Sequence, residues 1–222
     1  MIRTIQLALM LCFVCAALAA QTATPSVQAT GTASIYVQPD QAQLTVSVTT
    51  QGATAQAAGQ QNATLTVLVT KAVTSVLGSS GSIQTVAYSV NPQYGAGTQP
   101  PPIVGYAATN SFQVTITDLT LIGSAIDSAN QAGATNVGSL TLGLQNPAPS
   151  LQQALAAASK QALANAAAIA SGLGGKAGPV ISAQQSSAIA PVGALSALVT
   201  ATPVQLGPVS VTAMVIVTAQ LQ

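Results

Sequence analysis

Residues 111–122 read Ser-Phe-Gln-Val-Thr-Ile-Thr-Asp-Leu-Thr-Leu-Ile, and the change of period inside them sets the fold class. Phe112, Val114 and Ile116 alternate with Ser111, Gln113 and Thr115, the pattern of a strand buried on one face. Asp118 then stands where a helix N-cap belongs. Leu119, Ile122, Ile126 and Ala129 follow at helical spacing until Gly133 closes the element. The same two periods occur once before. Ala42, Leu44, Val46 and Val48 alternate with Gln43, Thr45 and Ser47, and Leu65, Val69, Ala72 and Val76 then line one face of a helix over 53–77, which Gly78 and Gly81 end. A strand over 82–90, a Pro- and Gly-rich loop over 91–103 and a strand over 136–144 complete the block. Strand, helix, strand, strand, helix, strand is the split βαβ order of ferredoxin-like layers.

Working outward, Ala33, Ile35 and Val37 form a short strand, and the Pro39-Asp40 turn joins it to the next as a hairpin. Downstream, Pro149-Ser150 caps a third helix over 151–173. Its apolar line runs Leu151, Leu155, Ala158, Ala162, Ala166, Ile169, and Gly172, Gly174 and Gly175 stop it. A strand over 180–185, a long loop over 186–208 and a terminal strand through Val209, Val211, Ala213, Val215 and Val217 follow. The expected class is α+β: antiparallel or mixed sheet layers with helices packed on one face, a ferredoxin-like core, a third Ala-rich helix and C-terminal strands.

The surface of this fold must be solvated almost without charge, because the 222 residues hold four Lys or Arg, three Asp or Glu and no His. Ordinary domains carry about a quarter charged residues. Acid-base, metal and charge-stabilising chemistry needs side chains that are nearly all missing, so no catalytic residue, metal ligand or cofactor is expected. With no basic patch there is no counterion release to drive nucleic-acid binding.

Residues 1–20 read as a secretory signal peptide: Arg3 in a short n-region, an apolar run from Ile5 to Ala17, and small residues Ala17 to Ala20 at the cut. The run falls short of the roughly 20 residues of a spanning anchor. Cys12 and Cys15 lie where a lipoprotein cysteine would, but they follow Leu11 and Val14 rather than small residues. Cleavage would leave three lysines (Lys71, Lys160, Lys176) against three aspartates (Asp40, Asp118, Asp127), a cysteine-free chain of formal charge zero. Neutrality removes the repulsion that keeps copies apart. Residues 21–30 show no period and are expected to be a leader, extended or disordered, and 31–222 one domain.

In order and spacing, several strings resemble the bacterial SIMPL-domain family: Val37-Gln38-Pro39-Asp40-Gln41-Ala42, Ser82-Ile83-Gln84-Thr85, Gly105-Tyr106-Ala107-Ala108, Val114-Thr115-Ile116-Thr117-Asp118-Leu119, Ala132-Gly133-Ala134 and the Ala-rich helix ending Leu173-Gly174. The resemblance covers about 30–222. It implies a secreted or periplasmic α+β protein, linked in some members to stress tolerance, immunogenicity or ring-like homo-oligomers, with no known catalytic residues. This chain departs from the family pattern at Ser82, which is usually acidic there, and along the third helix, which is usually charged.

Of the three carboxylates, Asp40 fits a turn, Asp118 a cap and Asp127 the polar face of the second helix; nothing in their spacing builds a site. Asn62-Ala63-Thr64 matches a glycosylation sequon, but inside a predicted helix. The run Gly172 to Gly175 follows a helix, the wrong polarity for holding an anion. Tyr88 and Tyr106 stand out because aromatics are scarce, four Tyr and two Phe. The stretch 189–199 is apolar without a period, and Ile189, Val192, Leu195, Leu198 and Val199 are its candidate interface residues. The expectation is a non-enzymatic envelope protein that acts through self-assembly, with contact to another envelope protein or to the membrane surface open. The alternative is a small-molecule-binding module with a pocket between sheet and loops.

Overall fold

Two antiparallel sheets hold the seven strands of the computed structural model, which describes residues 24–97, 100–191 and 206–222. The chain divides into two compact units.

The larger unit spans Ser34–Ala154 and Ser187–Ala213 and contains the split βαβ core. Its elements are β2 (Gln41–Gly52), α1 (Ala55–Leu77), β3 (Gly81–Tyr94), β4 (Ile103–Ile116), a 3-10 turn (Leu119–Leu121) leading into α2 (Ile122–Gln131), and β5 (Asn136–Gly143). The sheet order is β3-β4-β2-β5, and every neighbouring pair is antiparallel. β4 thus lies between the two strands that α1 connects, as the order of periods predicts. One sheet face supplies Leu44, Val46, Val48, Phe112, Val114 and Ile116 to the core. Val69, Val73 and Leu77 of α1 and Ile122, Ala125 and Ala129 of α2 meet them. Each large side chain fully buried there stabilises the fold by about 1.5–3 kcal/mol. The Thr54 hydroxyl accepts the Ala57 N–H to start α1, and Gly78, at φ 53, ends it with its N–H on Thr74 O.

The smaller unit spans residues up to Ala33, Leu155–Ser186 and Met214–Gln222. It takes in parts of β1 (Ser26–Val37), α3 (Ala148–Gly172), β6 (Ala177–Pro191) and β7 (Val209–Leu221). β7 is the middle strand of a sheet ordered β1-β7-β6. Leu221 N–H donates to Pro25 O, while Lys176 and Gln222 exchange both backbone bonds, so both neighbours run antiparallel to β7. The core is made of small residues: Val27 and Ala29 from β1, Ala166 and Ala170 from α3, and Ala219 from β7. Its closest approach is at Gly31, where a Cβ would collide with the Ala158 carbonyl oxygen and the Ala162 nitrogen of α3. Helix backbone lies directly on strand backbone there, which only Gly facing Ala permits.

Five expectations are corrected by these elements. The buried line of α3 is Ala154, Ala158, Ala162, Ala166 and Ala170, whereas Ile169 is 43% exposed and Leu155 half-buried; the approach at Gly31 leaves no room for larger side chains. α3 starts before Pro149 and Ser150, which lie inside its first turn; the Leu151 N–H donates to Pro147 O, and Asn146 Oδ1 accepts the Ala148 N–H at 3.2 Å. β1 and β2 belong to different sheets and do not form a hairpin. The leader over 21–30 is not disordered where it is described: Ser26–Thr30 belong to β1, with Val27 and Ala29 inward and Ser26, Gln28 and Thr30 outward. The two loops are shorter than 91–103 and 186–208. β3 continues through Pro92 to Tyr94, as an edge strand allows, and Ser186–Pro191 continue β6.

Candidate functional site

Asp40 and Asp118 are spent on local structure. Asp40 Oδ1 accepts the Gln145 N–H at 2.6 Å, and Gln145 Nε2 donates back to Asp40 O at 2.9 Å, which ties the start of β2 to the chain leaving β5. Asp118 Oδ1 accepts the Thr120 N–H at 3.1 Å and the Thr120 hydroxyl at 2.6 Å, so it caps the 3-10 turn that leads into α2. Asp127 lies on α2, half-buried. Among the described residues no three side chains of a metal-binding type come together.

Sequence reasoning met Asn62 only as part of a sequon and missed its structural role. Asn62 is fully buried on α1, and its Nδ2 donates to Val48 O at 2.8 Å and Ala108 O at 3.0 Å. A side chain committed to two strands in this way is no glycan acceptor. It locks α1 over the β2–β4 pair. Its sequence signal was position: Asn62 stands seven residues before Val69 and four after Ala58, on the apolar face of the helix.

Tyr88 is 56% exposed on the edge strand β3, and Tyr106 is half-buried opposite Gly52 of β2. Past that pair β3 and β4 bond only to each other, and Tyr94, Ile103 and Val104 are all more than half exposed. A cleft of about 210 Å³ is lined by Gln41, Gln43, Thr141, Leu142, Gly143, Leu144 and Ile189, which is small for a ligand pocket. Another, of about 360 Å³, lies along Gln60, Gln61, Thr64, Leu65 and Leu68 of α1. Neither lining includes an Asp or a Tyr.

Of the candidate interface residues, Ile189 belongs to β6 and is 46% exposed. Val192, Leu195, Leu198 and Val199 lie outside the described residues, as do Cys12, Cys15 and the signal-like segment over 1–20. No helix among the described residues is long and apolar enough to cross a membrane.

What remains is the treatment of the sheet edges. Unpaired strand edges invite pairing with other chains, and proteins blunt them. On β1, Asn165 Nδ2 donates to Thr30 O and Gln161 Oε1 accepts the Thr32 N–H, both at 2.8 Å, so side chains of α3 cover the edge. On β3 the register shifts between Thr85 and Ala87, a bulge at Val86. β5 has only eight residues, a register shift of its own against β2 and Ser139 at φ 52. β6 is the longest of the described strands. Its fifteen residues carry no charge, and Val180, Ile181 and Ile189 are 47%, 56% and 46% exposed.

The chain matches no curated protein. Among solved structures it is similar to AtUAH in complex with glyoxylate, with 14% identity, a TM-score of 0.24, 60% of this chain and 33% of that one covered. It is also similar to an amidase of the hydantoinase/carbamoylase family from Burkholderia phymatum, with 10% identity, a TM-score of 0.27 and coverage of 60% and 33%. The chain thus spans about a third of the length of these structures. A family described as SIMPL, protein of unknown function (DUF541), matches residues 27–219. With nearly the whole chain matched, and with the strand and helix order that the resemblance implied present in the fold, this protein belongs to the SIMPL family.

Proposed function

We propose that this SIMPL protein is a non-enzymatic, secreted or periplasmic protein that acts at the cell envelope by assembling with copies of itself. The observation that carries the reading is β6, a long uncharged edge strand with exposed Val180, Ile181 and Ile189. Near-neutral composition supports it, since a formal charge of +1, or zero once residues 1–20 are removed, opposes encounter little. The Arg3 n-region and the Ala17 to Ala20 boundary support export, and intact mass of protein secreted from a bacterial host should correspond to a start near Ala20 or Gln21. Full-length chain recovered in the membrane fraction would overturn the export part.

Native mass measurement tests the assembly directly. The expected result is a closed oligomer, because a self-complementary surface on identical chains is satisfied by point symmetry. A protein that stays monomeric at high micromolar concentration would instead favour ligand binding at the cleft beside Gln43 and Thr141, whose lining mixes polar and apolar groups.

A further inference from the structure

The bond exchange between Lys176 and Gln222 fixes the parity of β6. In an antiparallel pair the backbone groups of alternate residues face the partner and those between face away. Even-numbered residues of β6 therefore address β7, and odd-numbered ones present N–H and C=O to the free edge. Those are Ile181, Ala183, Gln185, Ser187 and Ile189, bracketed by Pro179 and Pro191. Both prolines fall at outward positions, where a missing N–H costs no bond to β7 and stops an incoming strand. They are also equidistant from Gln185.

We infer that two copies of this chain pair antiparallel along β6 about a twofold axis at Gln185, with proline opposite proline at each end. In this register Gln185 faces its own counterpart, Ala183 faces Ser187 and Ile181 faces Ile189, and every outward N–H between the prolines meets an outward carbonyl. Ile181 and Ile189, both exposed in the single chain, become cross-strand partners. Because Ala177–Pro191 carries no charge, identical strands bring no like charges together. The other three sheet edges are each covered, bulged or short, so β6 is the edge left for a second copy. The inference rests on the self-assembly proposed above and specifies its surface.

The test uses the full chain with Cys12→Ser and Cys15→Ser, to which Gln185→Cys or Val180→Cys is added, under mild oxidation. Facing Cα atoms of a bonded antiparallel pair lie about 5.5 Å apart, inside the range a disulfide spans. Gln185→Cys should therefore yield covalent dimer. Val180→Cys should not, since its counterpart is ten residues away along the ladder, about 34 Å. Ser187→Pro removes an outward N–H while leaving the bonds to β7, and should give a monomer with an unchanged circular dichroism spectrum. Equal cross-linking from both cysteines, or an oligomer untouched by Ser187→Pro, overturns the register. An oligomeric wild type without the Gln185→Cys cross-link also overturns it, though self-assembly through another surface would stand. A monomeric wild type removes both, and slow amide exchange at Ala183 and Ser187 in that monomer would mean that the chain's own segment fills the edge.

Discussion

Gly31 and Asn62 each fix a contact that no neighbouring residue could replace. At Gly31 a methyl group would meet the α3 backbone, which cannot retreat as a flexible side chain can. Gly31→Ala should therefore cost about 3 kcal/mol, the upper end for overpacking, read as a shift in urea midpoint. Asn62 donates to two backbone carbonyls in the core, so Asn62→Ala should cost about 2 kcal/mol by thermal denaturation. Asn62→Asp should cost more, because it sets an acceptor against two acceptors and buries a charge. For Asp118, Ala should cost about 1 kcal/mol and Ser much less; equal losses would give the carboxylate a role beyond the cap. Of these residues only Asp118 announced its place in the sequence. Asn62 breaks the apolar pattern it belongs to, and Gly31 owes its importance to a helix more than a hundred residues away.

The elements most legible in the sequence are those with one buried face. β2, β4 and α2 stand between solvent and a single core, and that asymmetry is what a period records. β6 is exposed along its length, with nothing to separate inward from outward positions, so half of it read as loop. α3 misled in the opposite way. The expected line holds at Ala158, Ala162 and Ala166, but the close packing that sets the helix's orientation selects by size, so Leu155 is only half-buried and Ile169 is 43% exposed. Replacement should show this. Ala162→Leu is expected to destabilise by about 2–3 kcal/mol in chemical denaturation, whereas Ile169→Ala should stay within about 0.5 kcal/mol. Comparable losses would mean that α3 can roll to bury its larger side chains.

Scarcity of charge governs the whole molecule's response to its surroundings. With four basic and three acidic side chains and no His in 222 residues, the proposed assembly has little that salt can screen or neutral pH can titrate. Oligomer mass should be unchanged from about 0.05 to 1 M salt, and light scattering across that range would detect dissociation driven by ion pairs. The bond from Leu221 N–H to Pro25 O has a further consequence, one of timing. It joins the first described strand to the last, so closing this sheet requires bringing together nearly the full length of the chain, and contacts of such long range make folding slow. A polypeptide growing from its N-terminus can collapse its ferredoxin-like block early, but β1 must wait for β7, the last of the described strands. Until then Val27 and Ala29 lack the Ala219 side of the core they enter.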